Sequence, residues 1–183
     1  MKAGEVICRF SARDGCKVVL RTIRWDDLDD LLGMINSLVE EKADIVRDER
    51  VSKTEEIDWL AKALSRLEKD EVFCLAPEVD GKVVANSEIA RGYSSHDGHV
   101  GGIGIAIRDG FRDIGIGTEM MRTLMKQARA MGLKSLKLSA FENNKRTIHV
   151  YEKVGFVQTG RIPKKFFREG KYVDEIIMSL LLE

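Results

Sequence analysis

The sequence predicts a mixed α/β (α+β) fold, in which a mostly antiparallel sheet with one central parallel strand pair is flanked by four helices. Asp-Gly pairs at 14–15 and 80–81 each separate two apolar, β-branched runs, which is typical of hairpin turns between antiparallel strands. Residues 100–141 have the pattern of strand, helix and strand, and the right-handed crossover of such a unit joins parallel strands. With 183 residues we expect one domain, 1–183, with an extra N-terminal strand at 5–11.

The N-terminal third has the pattern of a hairpin followed by two amphipathic helices. Strand-type residues at 6–10 and 17–23 flank the first Asp-Gly turn. Acidic residues from Asp26 open a helix whose apolar stripe consists of Leu28, Leu31, Leu32, Ile35, Leu38 and Val39. Ser52 or Thr54 caps a second helix, which buries Ile57, Leu60, Ala61, Leu64 and Leu67. The charged stretch 41–50 between these helices is either a solvated connector or the border of an acceptor site.

The rest of the chain supplies the centre and the far side of the sheet. Strands are expected at 72–76, 82–90, 100–107 and 135–141, and helices at 118–131 and 146–154. Asn143 or Asn144 caps the last helix, and Gly155 ends it. The tail, 156–182, is predicted to form a final hairpin that turns at Glu169-Gly170, and its last strand, 175–182, offers an edge for pairing in a homodimer.

Composition and charge exclude several classes of protein. The 30 basic and 30 acidic residues give a formal net charge of zero, whereas a dedicated nucleic-acid binder would be basic. No apolar run approaches the roughly 18 residues of a membrane span, and the N-terminus has no signal-peptide core. The three cysteines lack metal-ligand spacing, so we expect a cytoplasmic protein with reduced thiols and no metal.

The stretch from His99 to Gly117 carries the clearest functional pattern. Residues 100–107 are apolar and β-branched apart from glycines, which is typical of a buried strand that a ligand or a backbone bulge approaches closely. Residues 112–117 form a glycine-punctuated turn that opens a helix. Because the first amides of a helix lack internal partners and the helix dipole favours negative charge, this turn predicts a site for a phosphate group.

Spacing separates the classes of phosphate site. The chain has no Gly-x-x-x-x-Gly-Lys-Ser/Thr string, and Met120 stands where a dinucleotide fingerprint needs its third glycine. The remaining pattern, Arg-x-x-Gly-x-Gly, resembles the coenzyme A pyrophosphate loop of the GNAT superfamily of N-acetyltransferases. One strand later, a second motif is similar to the GNAT pattern Asn-x-x-Ala-x-x-Leu-Tyr-x-Lys-x-Gly-Phe, matched by Asn144, Tyr151, Lys153, Gly155 and Phe156. The resemblance covers about residues 17–182.

The resemblance implies a twisted GNAT-like sheet whose central parallel strands splay apart at a bulge. It implies that amides of Ile105, Ala106 and Ile107 hold the thioester carbonyl and pantetheine of acetyl-CoA. It also implies that Asn144, Tyr151 and Lys153 contact the cofactor, with Tyr151 as the general acid that protonates the departing thiolate. Main-chain amides would bind the pyrophosphate; the matching residues are Arg112, Asp113, Ile114, Gly115, Ile116, Gly117 and Thr118.

The general base is a separate question, because this chain has Gly101 where several family members carry a glutamate. Glu88 on the preceding strand is the first substitute candidate, and the alternative is an ordinary surface glutamate. His99 is the second candidate, because an imidazole is a common general base, and the alternative is a solvated histidine at a hairpin end.

The resemblance implies an acetyl-CoA-dependent N-acetyltransferase that works by direct attack in a ternary complex. Its second half is similar to protein-modifying and alanine-N-terminal branches, including archaeal protein lysine acetyltransferases, so a protein lysine or N-terminus is the favoured acceptor. Small amines, such as polyamines and amino acids, are the alternative acceptors. A non-catalytic acyl-CoA-binding regulator is the alternative class.

Overall fold

The computed structural model describes residues 1–182, which form nine strands and four α-helices. The strands are β1 Val6–Ser11, β2 Lys17–Thr22, β3 Val72–Val79, β4 Lys82–Val83, β5 Ala85–Arg91, β6 Val100–Ile107, β7 Ser135–Phe141, β8 Val157–Arg168 and β9 Lys171–Leu181. The helices are α1 Leu28–Glu40, α2 Lys53–Glu68, α3 Ile116–Ala130 and α4 Lys145–Lys153. All strands join one sheet in the order β1-β2-β3-β5-β6-β7-β9-β8, with β4 paired to β3.

The two faces of the sheet are covered by different helix pairs, because side chains alternate along each strand. Phe73 and Leu75 of β3 belong to the core that includes residues of α3 and α4, and we call this side the α3/α4 face. Val72 and Cys74 belong to the core that includes residues of α1 and α2, which we call the α1/α2 face. The mixed α/β class, with four helices and a largely antiparallel sheet, is confirmed.

The parallel pair is β6 and β7, and it is short. Three residue pairs join the strands, and the last of them is Gly102 with Lys137. Beyond this point no residue pair joins the two strands, although β6 continues to pair with β5 and β7 continues to pair with β9. The two strands therefore diverge. The predicted splay is therefore present, but the expected bulge in β6 is not, since the β5–β6 pairing has no register shift. We call the gap between the diverging strands the β6/β7 opening.

Two predicted boundaries differ from the observed ones. The strand expected at 82–90 is interrupted at Val84, whose N–H donates to the carbonyl of Pro77 at 2.9 Å, opposite a residue that has no N–H of its own. Helix α3 begins at Ile116, not at 118. Gly115, with a φ of 97°, is its N-cap, so Gly117 lies in the first helical turn and not in the preceding loop.

The C-terminal hairpin corrects the expectation about the sheet edge. Strand β8 extends to Arg168, directly before the predicted turn at Glu169-Gly170. Strand β9 pairs with β7 on one side and with β8 on the other, and its expected role as a free edge for a homodimer was therefore wrong. The outer strands of the sheet are β1 and β8. Within residues 1–182, the helices are too short or too polar to cross a membrane.

Candidate active site

The hydrogen bonds at the two ends of β6 define which of its amides bond to β5. The Gly92 amide donates to the Val100 carbonyl at 3.0 Å, and the Arg108 amide donates to the Val84 carbonyl at 2.9 Å. The pairing between these two bonds is regular, and bonded residues alternate in an antiparallel ladder. The even-numbered residues of β6 therefore bond to β5, while the odd-numbered residues turn their main-chain groups toward β7.

Two main-chain N–H groups consequently point into the β6/β7 opening. Ile105 and Ile107 are odd-numbered and lie beyond the last pair between β6 and β7. Ala106 is even-numbered and pairs with Asn86, so its amide is engaged in the β5 ladder and the expectation that it faces the cofactor was wrong. Fixed donors of this kind can stabilise an oxyanion, because they need no reorganisation when the charge develops.

The loop between β6 and α3 adds a run of free amides at one end of this opening. Within residues 1–182, none of the main-chain N–H groups of residues 112–118 has a protein acceptor. The first bond of helix α3 is donated by the Glu119 amide to the Gly115 carbonyl, at 3.1 Å. Positive φ angles at Asp113 (64°) and Gly115 (97°) turn successive amides inward, as in anion-binding concavities. This run therefore has the donors that a pyrophosphate needs.

The charged side chains of this loop tie it to neighbouring elements. Arg112 donates from Nε to the Ile107 carbonyl at 2.9 Å and pairs with Glu41, so its guanidinium ties the loop to the end of β6 and to the residue after α1. The carboxylate of Asp113 pairs with Nε of Arg146 on α4, at 2.8 Å. This pair neutralises a charge that would otherwise oppose an anion.

Tyr151 lies on α4 in the core of the α3/α4 face and is only 4% exposed. Its ring packs against Phe156, with 6.1 Å between centroids. Burial raises the pKa of the Tyr151 hydroxyl, so the group stays protonated and can donate a proton. Ile105 packs against the same core, which places the predicted acid on the side of the sheet reached by the side chains of the opening.

The other two residues of the second motif that are expected to contact the cofactor lie at the ends of α4. The side-chain oxygen of Asn144 caps the helix by accepting the Thr147 amide at 3.0 Å, which leaves its NH₂ group for a ligand. Lys153 is exposed in the last turn of α4.

Glu88 lies on the opposite, α1/α2 face of the sheet, half-buried and directly across from Gly104 of β6. It borders two cavities, one of about 500 Å³ beside α2 and one of about 460 Å³ at the start of the β6/β7 opening. Its neighbour on β3 is Cys74. Burial, and secondarily the Glu88 charge, raise the pKa of the Cys74 thiol to about 12, so this sulfur is not an activated nucleophile.

The structure does not bring His99 to this place. His99 is exposed just before β6, six positions before Ile105, and at about 3.3 Å per residue this separation is roughly 20 Å. Gly101 is buried, and a Cβ there would lie 2.7 Å from Leu133, 2.8 Å from Leu136 and 2.9 Å from Ile89. A glutamate therefore does not fit at position 101.

Sequence reasoning missed three residues of this region. Gly102, Gly104 and Lys137 line the 460 Å³ cavity together with Glu88. The alternation of side chains along β6 was the available signal. Gly104 pairs with Glu88, and Gly102 lies two residues from Gly104, so both glycines lie on the same face of the sheet as Glu88.

Comparison with known proteins agrees with this geometry. The acetyltransferase (GNAT) family profile matches residues 17–156, so the chain belongs to the GNAT family of acetyltransferases. Among curated relatives, the L-amino acid N-acetyltransferase of Escherichia coli is 28% identical over 102 residues, which cover 55% of this chain and 63% of that enzyme. The L-methionine sulfoximine/L-methionine sulfone acetyltransferase of Pseudomonas paraeruginosa is 28% identical over 79 residues, covering 43% of this chain and 46% of that enzyme.

The fold has close counterparts among solved structures. A GNAT superfamily phosphinothricin acetyltransferase from Sinorhizobium meliloti, determined in complex with acetyl-CoA, superposes with a TM-score of 0.80. The two chains are 17% identical, and the match covers 90% of this chain and 88% of the other. The alignments to the two curated relatives span less than two thirds of each relative's length.

Proposed function

We propose that this protein transfers an acetyl group from acetyl-CoA to a primary amine, by direct attack in a ternary complex. The observation that carries the proposal is the presence of two groups of unpaired main-chain donors near each other. One group is the Ile105 and Ile107 amides in the β6/β7 opening, and the other is the amides of the loop 112–118. A thioester carbonyl, a pantetheine arm and a pyrophosphate need donors at two such places. The solved GNAT relative with acetyl-CoA and the shared family support the same ligand.

The residues divide the chemistry between the two faces of the sheet. Glu88 takes a proton from the acceptor ammonium, directly or through water, and the free nitrogen attacks the thioester carbon. The Ile105 amide donates to the oxyanion that forms. The attacking nitrogen then loses its second proton to solvent as the C–S bond breaks. Tyr151 gives its hydroxyl proton to the departing thiolate, after which solvent restores that proton. Because the Cys74 thiol is buried and protonated, no covalent intermediate on the enzyme is invoked.

The first candidate acceptor is a small amine of the amino-acid type. The curated relatives named for amino acids and amino-acid analogues support this choice. The second candidate is a protein lysine or N-terminus. The observation that favours it is the position of Glu88 between two cavities, which extend along α2 and across β6 and leave room for a chain.

An acetylation screen tests the proposal. Purified protein is incubated with acetyl-CoA and pools of amino acids, polyamines and peptides, thiol release is recorded, and products are identified by mass spectrometry. Glu88→Gln is expected to lower turnover by about 10²-fold or more at neutral pH, since a positioned base contributes that much. Binding of acetyl-CoA without thiol release for any amine would contradict the proposal and favour a non-catalytic acyl-CoA-binding regulator.

A further inference from the structure

Three glycines lie close together in β6, and they differ in what a side chain would meet. A Cβ on Gly101 would collide with Leu133, Leu136 and Ile89 at 2.7–2.9 Å, so the core requires glycine there. A Cβ on Gly102 would have its nearest contacts at 3.8 Å and 4.0 Å, and one on Gly104 would have a single contact at 3.9 Å, with Glu88. These are ordinary van der Waals distances.

The fold therefore has no need of glycine at positions 102 and 104. Neither residue has a positive φ, so the backbone accepts an L side chain at both places. Glycine also weakens a strand, because it loses more conformational freedom on folding and packs no side chain. A glycine that the fold does not require, in the middle of a sheet, indicates that a ligand approaches the backbone closely.

The two glycines face the same cavity, which is already part of the proposed active site. Both line the 460 Å³ space that also contains Glu88 on one side and Lys137 on the other. The Lys137 side chain bends toward Gly102, since its Cε lies 4.0 Å from the position of a Cβ there. Gly104 is exposed, and the Ile105 amide, which faces the opening, follows it directly.

We infer that Gly102 and Gly104 form the floor of the acceptor site and set the size of the group attached to the carbon beside the reacting amine. This inference rests on the proposed function. The charges around the cavity define the acceptor class: Glu88 and Glu175 attract the ammonium, and Lys137 attracts a carboxylate on the same molecule. A zwitterionic α-amino acid presents both charges, and its side chain lies over the bare backbone of β6.

The test compares Gly104→Ala and Gly104→Val with the unmodified protein. Values of kcat/KM are measured for glycine, alanine, leucine and phenylalanine as acceptors, together with acetyl-CoA affinity by calorimetry and the melting temperature. Gly104→Val is expected to lower kcat/KM for leucine and phenylalanine at least tenfold more than for glycine. Acetyl-CoA affinity and melting temperature are expected to stay close to those of the unmodified protein. Gly101→Ala is the contrasting control and should lower the melting temperature.

Distinct results overturn the distinct steps. If the unmodified protein releases thiol but Gly104→Val keeps the same ratio between large and small acceptors, the floor is wrong while the proposed function stands. If Gly104→Ala lowers the melting temperature as much as Gly101→Ala does, glycine serves the fold and the floor is again wrong. If the unmodified protein acetylates no amine at all, the proposed function fails and the floor fails with it.

Discussion

At the scale of single residues, Tyr151 has the most specific consequence for the proposed reaction. Tyr151→Phe keeps the buried ring that packs on Phe156 and removes the proton that the leaving thiolate needs. We expect kcat to fall by about 10²-fold or more, with acetyl-CoA affinity changed little. The rate of thiol release gives kcat, and calorimetry gives the acetyl-CoA affinity. An unchanged kcat would contradict a role for Tyr151 in the mechanism.

The pH dependence of the same residue follows from the direction of its pKa shift. Burial raises the pKa of Tyr151 above its ordinary value near 10, so the proton-donating form persists through the neutral and mildly alkaline range. The kcat profile of the unmodified protein should therefore show no descending limb from this group below about pH 10. A descending limb near pH 8 that is absent in Tyr151→Phe would contradict the assignment.

A buried ion pair gives the clearest stability prediction for a single residue. Asp27 and Arg21 are each 2% exposed and are joined by hydrogen bonds of 2.6 and 2.8 Å, and Arg21 also pairs with Glu78. Asp27→Asn leaves a buried guanidinium short of charge compensation, and we expect a loss of about 3 kcal/mol in the free energy of unfolding, measured in urea. Asp29→Asn is the control, because its pair with Lys53 is exposed.

The control separates burial from charge. Exposed pairs contribute about 0–1 kcal/mol, so Asp29→Asn should barely move the urea midpoint. Equal effects of the two substitutions would show that burial does not determine how much the Arg21–Asp27 pair contributes to the free energy of unfolding.

At the scale of elements, the start of α2 predicts an acid-sensitive helix. Ser52 accepts the Glu55 amide at 3.2 Å, and Glu55 accepts the Ser52 amide at 2.9 Å. These bonds, with that of Arg47, lower the pKa of Glu55 from 4.5 to about 2. Because the folded pKa lies below the unfolded one, the stabilisation is complete above about pH 4.5 and is lost as pH falls toward 2. Glu55→Gln should weaken the dependence of the melting temperature on pH between pH 5 and pH 3. An unchanged dependence would contradict the stabilising role of the reciprocal Ser52–Glu55 hydrogen bonds.

The tip of the β8–β9 hairpin holds the segment between α1 and α2. Arg168 donates to the carboxylate of Asp44 at 2.7 Å and to the carbonyls of Lys42 and Ala43 at 2.8 Å, and its guanidinium lies 4.9 Å from the ring centroid of Phe141. The charged stretch 41–50 is therefore anchored to the hairpin at its N-terminal end, which the solvated-connector reading did not anticipate.

Arg168→Met should release this segment while keeping an unbranched apolar stem over Phe141. We expect faster amide hydrogen exchange in residues 41–51 and a several-fold rise in the acceptor KM, with the acetyl-CoA KM unchanged. Arg161→Met on the same strand, whose partners are Asp174 and Glu142, is the matched control. The same exchange pattern in both variants would show that the hairpin as a whole, and not Arg168, holds the segment.

At the scale of the whole molecule, the sheet consists of two parts that share few hydrogen bonds. Strands β1 to β6 form one part and β7 to β9 the other, and three residue pairs at the start of β6 and β7 join them. A ligand that bonds across the opening links the two parts. Acetyl-CoA at 100 times its Kd should stabilise the fold by about 2.7 kcal/mol.

Thermal denaturation at increasing acetyl-CoA measures this link. ADP is the control, since it offers a pyrophosphate to residues 112–118 but nothing to the Ile105 and Ile107 amides. It should therefore bind more weakly, and its effect should be smaller at equal concentration. A melting temperature that ignores acetyl-CoA at every concentration would contradict the proposed site.

How far the sequence predicted this molecule depended on the range of the interactions involved. Asp-Gly turns, the Ser52 cap and the Asn144 cap are local, and all were predicted correctly or as one of two choices. The parallel pair followed from the order of strand, helix and strand in residues 100–141. The edge of the sheet was not predictable, because whether β9 or β8 lies outermost depends on how the hairpin docks on β7.

The candidate site shows the same limit more finely. The motifs predicted the loop and Tyr151, but the amide of Ala106 was assigned wrongly. Successive residues of a strand direct their main-chain N–H groups to opposite neighbouring strands, so an amide one residue from Ile105 or Ile107 bonds to β5 instead of facing the opening. Glu88 was proposed from its strand alone, and its place opposite Gly104 depends on register. Direct binding by the residues of the loop stays a prediction.

The outer strand β8 has one further consequence. Its pairing with β9 slips between Ile162 and Phe166, where Pro163 lacks an N–H and Lys164 has a φ of 53°. This irregularity keeps a twelve-residue bare edge from serving as a straight template for other copies. A regular β8 without this kink would present a longer straight edge, so we expect such a variant to self-associate more readily at high concentration.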